Sequence, residues 1–345
     1  MGGASEYSAL LAEVRAAGLL RKRPGYSAIV AAAVTASAGA ATVLLRTLGP
    51  TPWQLLVAAL FGVVFAQFGF LAHEAAHRQI LRSGPANDRL AAFIGPAIVG
   101  LSASWWRQDH NRHHAEPNVM GRDSGVNPEL LVFRERDAAA RTGFARRFTR
   151  VQGFMVLPLL LLVGLDLHVQ SVRFLLVRHA TPGRRIELLL IVMRLALFAL
   201  LVLGTLPLVL GLEFLGVQLA VFGVYLGLSF LPNHVGMPVL EPGHGLDYLR
   251  KQVTTSRNLS GGRIMSAITG GLSLQIEHHL FPGMARPNLW AARSIVRARC
   301  AELGVPYTEQ SPVAALVRVV RHLNRVGLAA GSQFRCPVVE QCGRE

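Results

Sequence analysis

Three histidines lie within five residues, at His110, His113 and His114. In an α-helix, the spacing i, i+3 and i+4 places the three imidazoles on one face. Each ring carries a nitrogen donor and a nitrogen acceptor that need partners, so three rings together do not pack as apolar filler. Because imidazole is the commonest protein ligand for transition metals, the segment predicts a metal site.

Further histidines could join this site. His73 and His77 are four residues apart, His278 and His279 are adjacent, and His234 follows a long apolar run. Seven or eight imidazoles exceed the need of one metal and suit two metals with four or five nitrogens each. Nitrogen ligands without sulfur favour iron, manganese or zinc, and spacing alone does not choose among them.

Four acidic residues lie close to these histidines in the sequence. Neutral imidazoles would leave two metals with a high positive charge, which carboxylates can offset while they orient the histidine rings. The residues predicted for this role are Glu74, Asp109, Asp123 and Glu277.

The composition indicates the kind of fold that must position these residues. The chain has 345 residues, 51% of them hydrophobic, and a formal net charge of +15; its mean hydropathy is +0.38. Such an apolar chain is typical of a membrane protein, and its excess arginine then indicates cytoplasmic loops. No folded basic module with base-stacking aromatic residues is visible, so we expect no nucleic-acid partner. The three cysteines form no CxxC pair, which excludes a zinc ribbon or a rubredoxin-type iron site.

Four apolar runs are long enough to span a membrane as helices. They cover about residues 27–48, 53–72, 186–212 and 214–231 and form two hairpins. Arginines lie at both open ends of the first hairpin, which predicts that both ends are cytoplasmic. We therefore expect an all-α integral membrane protein of a bacterial plasma membrane, whose site faces the cytoplasm.

The remaining segments complete this domain organisation. Residues 1–26 are predicted to be a cytoplasmic N-terminal segment and residues 326–345 a flexible tail. Between them, residues 27–325 form one membrane domain. Its cytoplasmic helical cap, made of residues 73–185 and 232–325, is predicted to hold a site for two metals.

Two shorter apolar segments are predicted to lie at the membrane interface. Residues 154–165 are very apolar, but Asp166 and His168 end the run after about a dozen residues, which is short for a span. If this run crossed the membrane, residues 114 and 275 would lie on opposite sides. Residues 89–106 are interrupted by glycine and proline, which favours an interfacial or re-entrant segment.

The three clusters read HEAAH from His73, HNRHH from His110 and QIEHH from Gln275. In this order they resemble the three histidine boxes of the integral-membrane fatty acid desaturases. The resemblance covers roughly residues 27–325, and the ordered trio is far more specific than any single box. Gln275 in the third box, with Leu280-Phe281-Pro282 after it, resembles the front-end acyl-CoA and acyl-lipid desaturases and their bacterial relatives.

The resemblance implies two iron ions, O2 as co-substrate, and a cis double bond introduced into an acyl-CoA or acyl-lipid chain. It implies the following iron ligands: His73, His77, His110, His113, His114, His278 and His279. His234 lies where the family often supplies one more ligand. Asn233 could hold a metal-bound water instead, and Gln275 could be a weak oxygen ligand or lie beside the metal.

The same resemblance suggests partners for the reaction. Many members of this branch carry a fused cytochrome b5 domain with an HPGG motif, which this sequence lacks. Electrons are therefore expected from a separate ferredoxin, rubredoxin or cytochrome b5 type of donor with a flavin reductase. Trp105 and Trp106 are candidates for the wall of a substrate tunnel, or else for the membrane interface.

Cytoplasmic basic residues could bind a coenzyme A phosphate or the acidic face of a donor. The candidates are Arg257 and Arg263, together with Arg250, Lys251, Arg286 and Arg293.

Three other functions compete with desaturation. A membrane hydroxylase or ketolase would carry the same boxes and differ in its product. HEAAH also matches the HExxH signature of zinc proteases, with Glu74 as general base, but that function leaves the other clustered histidines unexplained. A non-enzymatic membrane protein with a histidine patch would not place pairs at helical spacing three times.

Overall fold

The computed structural model describes residues 5–127, 130–178 and 181–331. Helices dominate these residues. Their bounds are α1 Glu6–Ala16, α2 Pro24–Thr47, α3 Gln54–Ala76, α4 Gly84–Phe93, α5 Ala103–Ala115, α6 Glu135–Ala139, α7 Gly143–Val177, α8 Arg184–Leu203, α9 Leu208–His234, α10 Tyr248–Thr254, α11 Gly262–Ile268, α12 Gln275–Leu280, α13 Arg286–Glu302 and α14 Pro312–Ala329. Two short strands, β1 Asn258–Leu259 and β2 Glu309–Gln310, pair in parallel.

Within the described residues, five helices are long and apolar enough to cross a membrane, namely α2, α3, α7, α8 and α9. The sequence predicted four. The chain is therefore a predominantly helical membrane protein, as expected, with one more candidate span than expected.

The extra candidate is α7, a single helix of 35 residues. The prediction of a short segment over residues 154–165 is wrong, because Asp166 and His168 do not end the helix. Gln170 donates a hydrogen bond to Asp166 at 3.4 Å, and the Nδ1 atom of His168 lies 2.6 Å from the carbonyl of Gly164. Both partners are one turn away on α7 itself, so these polar groups are satisfied without a break in the helix.

The second hairpin turns earlier than predicted. The sequence suggested a break near residue 213, but α8 ends at Leu203 and α9 begins at Leu208. Gly204 follows α8, and Pro207 directly precedes the first residue of α9. Proline has no N–H to donate and restricts the residue before it, so the helix ends there rather than at Glu213.

Close contacts join the long helices α3, α7, α8 and α9. Phe61 and Phe65 of α3 pack with Phe198 of α8, their ring centroids 5.1 and 5.2 Å from it. Helices α7 and α9 approach most closely at two glycines, where a Cβ on Gly223 would overlap the backbone nitrogen of Gly164. Small residues thus allow the two backbones to touch.

The segment predicted to be interfacial, residues 89–106, contains the end of α4, a π-helical turn and the start of α5. Helix α4 continues into a π-helical turn at Ile94–Val99, and Gly100 then adopts a left-handed conformation with φ +90°. Ser102 begins α5 by accepting a hydrogen bond from the Trp105 N–H at 3.0 Å. Glu187 at the start of α8 accepts a further hydrogen bond from the Ser104 N–H at 2.9 Å.

The shorter helices α1, α10, α12 and α13 pack around a second apolar core. Leu10 and Val14 of α1 are fully buried there with Leu289 and Val296 of α13. The amphipathic helix α14 packs against α7 through a glycine: a Cβ on Gly327 would lie 2.5 Å from the Thr149 carbonyl. Because α14 runs to Ala329, part of the predicted flexible tail is helical, and residues 332–345 lie outside the described part.

Candidate metal centre

Four helices bring eight histidines to one place. His73 lies in the last turn of α3 and His77 directly follows this helix. Helix α5 carries three histidines in its last turns, α9 ends at His234, and α12 carries the adjacent pair His278 and His279. The last turns of three helices and the short helix α12 therefore converge, as the spacing of the clusters predicted.

The eight histidines form two groups, and within each group the candidate ligand atoms lie within 4.8 Å of one another. The five-histidine group contains His73, His77, His110, His114 and His278. The three-histidine group contains His113, His234 and His279. The sequence predicted four or five nitrogens for each of two metals, so the second group holds fewer imidazoles than expected.

Nitrogen atoms in the five-histidine group face one another at short range. The Nε2 atom of His110 lies 2.8 Å from that of His77 and 2.9 Å from that of His114. Two nitrogens at right angles around a metal, each at ~2.0–2.1 Å as in zinc sites, would be separated by about 2.9 Å. The observed spacing therefore suits nitrogens that share one metal ion.

The group also contains buried nitrogens that the protein leaves without partners. Both ring nitrogens of His73, the Nδ1 atom of His114 and the Nε2 atom of His278 have no hydrogen-bond partner among the described residues, and the same holds for the Nε2 atom of His279 in the three-histidine group. A buried polar atom without a partner costs roughly 1–3 kcal/mol. Bonds to metal ions would satisfy these atoms, so the donor set fits metals.

The protonation of the histidines on α5 and α12 agrees with this fit. Burial, and then the neighbouring imidazoles, hold the pKa of His110, His114, His278 and His279 well below the usual range of histidine. These rings are therefore neutral at physiological pH, which is the form that binds metals.

Each ring of the three-histidine group is oriented through its other nitrogen. The Nδ1 atom of His113 lies 2.9 Å from Asp123, that of His234 lies 3.0 Å from the Thr255 carbonyl, and that of His279 lies 2.9 Å from the Gln252 side chain. Hydrogen bonds of this kind fix the ring and its tautomer and leave Nε2 for a metal.

Asp123 is buried and takes part in three hydrogen-bond contacts. It accepts the N–H groups of Asn118 at 2.8 Å and Gly125 at 2.9 Å besides its contact with His113. Burial acts to raise the pKa of this carboxyl, but the hydrogen bonds and the nearby His113 outweigh it and lower the pKa to about 2. Asp123 is therefore ionised beside His113.

Among the described residues, no histidine is hydrogen-bonded by the other three acidic residues. Glu74 pairs with Arg286, and both side chains are 2% exposed. Glu277 accepts hydrogen bonds from Asn258 at 2.7 Å and Tyr307 at 2.8 Å, and burial raises its pKa. Asp109 is partly exposed, with Arg112 at 4.0 Å. Of the four acidic residues predicted to orient histidines, Asp123 alone contacts one in the described part of the chain.

Gln275 and Asn233 lie beside the three-histidine group. The Nε2 atom of Gln275 is 3.0 Å from the Nε2 atom of His234. The Nδ2 atom of Asn233 donates to the carbonyls of Ser229 and Leu272 and to the side-chain oxygen of Gln275. Because Asn233 faces three oxygens, the Gln275 oxygen turns toward Asn233 and its nitrogen toward the histidines.

A cavity of about 600 Å³ begins at the histidines and runs between α3, α5, α7 and α9. Its wall is largely apolar and includes Phe70, Leu160, Leu226 and Phe230. Both tryptophans predicted for a tunnel wall line it. The ring of Trp106 also stacks on His110, with centroids 4.1 Å apart.

The basic residues suggested for phosphate binding are mostly committed to other contacts. Arg257 is fully buried and donates to the carbonyls of Pro232 at 2.9 Å and Val235 at 3.1 Å, so the prediction that it binds substrate is wrong. Arg263 is exposed on α11. The other candidates form ion pairs: Arg250 with Glu6 and Asp247, Lys251 with Glu116, Arg286 with Glu74, and Arg293 with Glu309.

Sequence reasoning missed two contacts of this centre, Gln252 and Thr255. Both lie at α10, which the histidine pattern did not mark. Gln252 also donates to the His114 carbonyl at 2.8 Å, so it connects α5 with α12. No local spacing signals such a contact, because it depends on the packing of α10 against α12.

Known proteins resemble this chain over most of its length. A family model described as fatty acid desaturase matches residues 50–311. The Delta(8)-fatty-acid desaturase of Helianthus annuus is 26% identical over 339 residues, which cover 94% of this chain and 74% of that protein. The Delta(5) fatty acid desaturase fat-4 of Caenorhabditis elegans is 32% identical over 271 residues, covering 74% of this chain and 60% of that protein.

A third relative is the acyl-lipid (9-3)-desaturase of Physcomitrium patens, 28% identical over 81% of this chain and 54% of that protein. The chain thus spans about half to three quarters of the length of these relatives. The family match covers more than half of the chain and includes all three histidine clusters. This chain belongs to the fatty acid desaturase family.

Proposed function

We propose that this protein is an integral-membrane fatty acyl desaturase that holds two iron ions in its histidine groups. The observation that carries the proposal is the position of these groups at the end of an apolar cavity, in a chain of the desaturase family. The relatives named as Delta(5) and Delta(8) desaturases support the same reaction class. Desaturation converts –CH2–CH2– and O2, with two electrons and two protons, into –CH=CH– and two waters.

The bound irons would supply the oxidation, and the protein positions the metals and the acyl chain. The five-histidine and three-histidine groups would hold one metal each. Asp123, Gln252 and Thr255 keep the rings of the second group turned toward the centre. The apolar wall orders a flexible acyl chain and excludes water, which brings one pair of carbons to the metals.

We further propose that α7 lies at the interface and that only α2, α3, α8 and α9 span the membrane. Gly153, near the start of α7, packs against Val320 and Asn324 of α14, which belongs to the cap. Ser171, near its end, accepts a hydrogen bond from the Ser102 N–H at the start of α5. Contacts with the proposed cap at both ends of α7 favour a helix that does not cross the membrane.

The same topology supports a cytoplasmic site. Helices α5 and α12 meet at the histidines, so an even number of spans separates them, and α8 and α9 provide two. The arginines at the open ends of the first hairpin favour the cytoplasm for this side. The proposed location is a bacterial plasma membrane. The proposed electron donor is a soluble protein of the ferredoxin, rubredoxin or cytochrome b5 type, with a flavin reductase.

The zinc-protease alternative is disfavoured by two contacts. Glu74, the general base that it requires, is buried against Arg286. His73 and His77 also share their group with three further histidines, more than a protease site uses.

The test is expression in a host with defined lipids, with a ferredoxin or cytochrome b5 type of donor and its reductase supplied. We expect purified protein to bind two irons by elemental analysis, and mass spectrometry to locate one new cis double bond. A hydroxyl or keto product with two irons bound would assign the protein to the oxygenating branch. Unchanged lipids from iron-loaded protein with an active donor would contradict the proposed function.

A further inference from the structure

Helix α12 carries two of the eight clustered histidines but is too short to fix its own position. It has six residues, Gln275–Leu280, and all of them are buried. The last four carbonyls of a helix have no partner within it, so most carbonyls of α12 depend on other groups. His279 is one of only three imidazoles in its group. Contacts from outside α12 must therefore place this ring.

Two tyrosine hydroxyls bind the end of α12. The hydroxyl of Tyr248, the first residue of α10, donates to the His279 carbonyl at 2.9 Å. The hydroxyl of Tyr7 on α1 donates to the next carbonyl, that of Leu280, also at 2.9 Å. The two tyrosine rings pack edge to face with centroids 4.7 Å apart, and the Tyr7 ring stacks on Phe281 at 6.1 Å. Together, the tyrosines hold the last two carbonyls of the helix.

Helix α10 contacts His279 at two atoms. Tyr248 and Gln252 are four residues apart and therefore lie on one face of α10. Tyr248 binds the His279 carbonyl, and Gln252 lies 2.9 Å from the Nδ1 atom of the same residue. A metal ligand has to be held within about 0.5 Å of its productive position. The carbonyl contact fixes the backbone from which the ring extends, and the Gln252 contact fixes the ring itself.

The opposite end of α12 is held by Asn258 of β1. The side-chain oxygen of Asn258 accepts a hydrogen bond from the Ile276 N–H at 2.9 Å, and its nitrogen donates to Glu277 at 2.7 Å. Because these contacts fix the beginning of the helix, the tyrosines determine the position of its end. That end carries both histidines of α12.

Helix α1 reaches this place through contacts of its own. Its inner face belongs to the second apolar core, together with residues of α13. Glu6, which precedes Tyr7, forms an ion pair with Arg250 of α10. The match to the family model begins at residue 50, well after α1. The histidine clusters in the sequence therefore give no sign that this helix reaches α12.

We propose that Tyr7 and Tyr248 are positioning residues of the metal centre. Their hydroxyls hold the end of α12 so that the His279 ring reaches the metal of the three-histidine group. The N-terminal segment is thereby part of the site, although the sequence predicts only a cytoplasmic segment there. The inference rests on the proposed function for one point, that the histidine groups hold iron.

The experiment removes each hydroxyl and keeps the ring. Iron-loaded protein is purified as the unaltered chain, Tyr248→Phe and Tyr7→Phe, and the release of each iron to an excess of chelator is followed. We expect Tyr248→Phe to release one iron about tenfold faster, the lower limit for losing a contact that orients a ligand. Tyr7→Phe should release the same iron about threefold faster, because it binds the carbonyl one residue beyond the ligand. The other iron should leave at the unaltered rate.

A control and a second measurement separate positioning from stability. Tyr225→Phe is the matched control, because it loses a hydroxyl that donates at 2.7 Å to the carbonyl of Ile268, on α11. It should release both irons at the unaltered rate. The unfolding temperature of metal-free protein in detergent should fall by similar amounts in all three variants, since each loses one hydrogen bond. Faster release of one iron would then not follow from lower stability.

The possible outcomes distinguish this inference from the proposed function. If Tyr248→Phe and Tyr7→Phe behaved like the control, or released both irons equally faster, the hydroxyls would not position His279 and the inference would be overturned. Unaltered protein that binds no iron would contradict the proposed function and the inference together. Selective iron release without desaturation by the unaltered protein, in the presence of an active donor, would contradict the proposed function alone.

Discussion

The two histidine groups are built by different means. The rings of the five-histidine group contact one another, as His73 does His110 with centroids 5.0 Å apart, and Trp106 stacks on the outside. His73 has no hydrogen bond from the protein at either nitrogen. In the three-histidine group, every ring is fixed through Nδ1 by a neighbour. One group is positioned by packing, and the other by hydrogen bonds.

The difference also concerns how complete each site is. Five imidazoles nearly fill the coordination of one metal, whereas three leave positions open for another ligand. With fewer bonds to share the loss, the three-histidine group should depend more on each ligand and on each residue that orients it. The predictions that follow test this asymmetry.

The largest effect is expected from His279→Ala, which removes one of three ligands. Bound iron should fall from two ions to one, and activity by more than about 1,000-fold, or about 4 kcal/mol. His77→Ala is the matched variant and leaves four imidazoles in its group, so it should retain both irons. Elemental analysis and turnover of the purified proteins measure both effects. Equal iron loss in the two variants would contradict the asymmetry.

Glu74→Gln tests the surroundings of the five-histidine group. Removing one partner of a buried ion pair costs about 3–5 kcal/mol, because Arg286 would keep its charge without a partner. We expect thermal unfolding in detergent to show a loss of stability near the lower limit of this range, with two irons still bound. Glu302→Gln, in an exposed pair with Arg299, is the control and should change stability little. Loss of iron without loss of stability would show that Glu74 acts on the metal.

Asp123→Asn removes the charge that holds His113 while it preserves the size of the side chain. Loss of such an orienting contact typically lowers metal affinity or activity about 10–100-fold. We expect chelator competition to extract one iron more easily and the other as in the unaltered protein. Asp137→Asn, in an ion pair with Arg134, is the control. If both irons became equally labile, Asp123 would support the whole metal centre rather than one group.

The sequence predicted the members of the site better than their arrangement. Helical spacing identified the three clusters, because i, i+3 and i+4 share a face. It did not divide the rings between two groups. Adjacent helical residues point about 100° apart, since a turn contains 3.6 residues. His113 therefore joins a different group from His114, and His279 a different group from His278.

The errors have two physical origins. Asp166 was expected to end an apolar run, but a helix ends where its backbone loses partners rather than at the first polar side chain. Arg257 was expected to be a surface cation, but it binds the carbonyls at the end of α9. Gln252 was missed because it reaches His279 across 27 positions. The positions of Arg257 and Gln252 depend on tertiary contacts that no local pattern records.

The smallest effect is expected at Gln275, where the three-histidine group has room for a fourth nitrogen ligand. Its amide nitrogen already lies 3.0 Å from the Nε2 atom of His234, so the imidazole in Gln275→His would reach the same place. The second iron should then resist chelators several-fold better, while activity changes by less than about threefold, or roughly 0.7 kcal/mol.

The cost of that substitution is the hydrogen bond from Asn233 to Gln275, which leaves Asn233 the carbonyls of Ser229 and Leu272. Gln275→Leu loses the same bond without adding a ligand, so it isolates this cost. If the two variants resist chelators equally, position 275 does not face the metal. If only the histidine variant gains resistance, three imidazoles limit iron retention at this group, which is the asymmetry from which these predictions began.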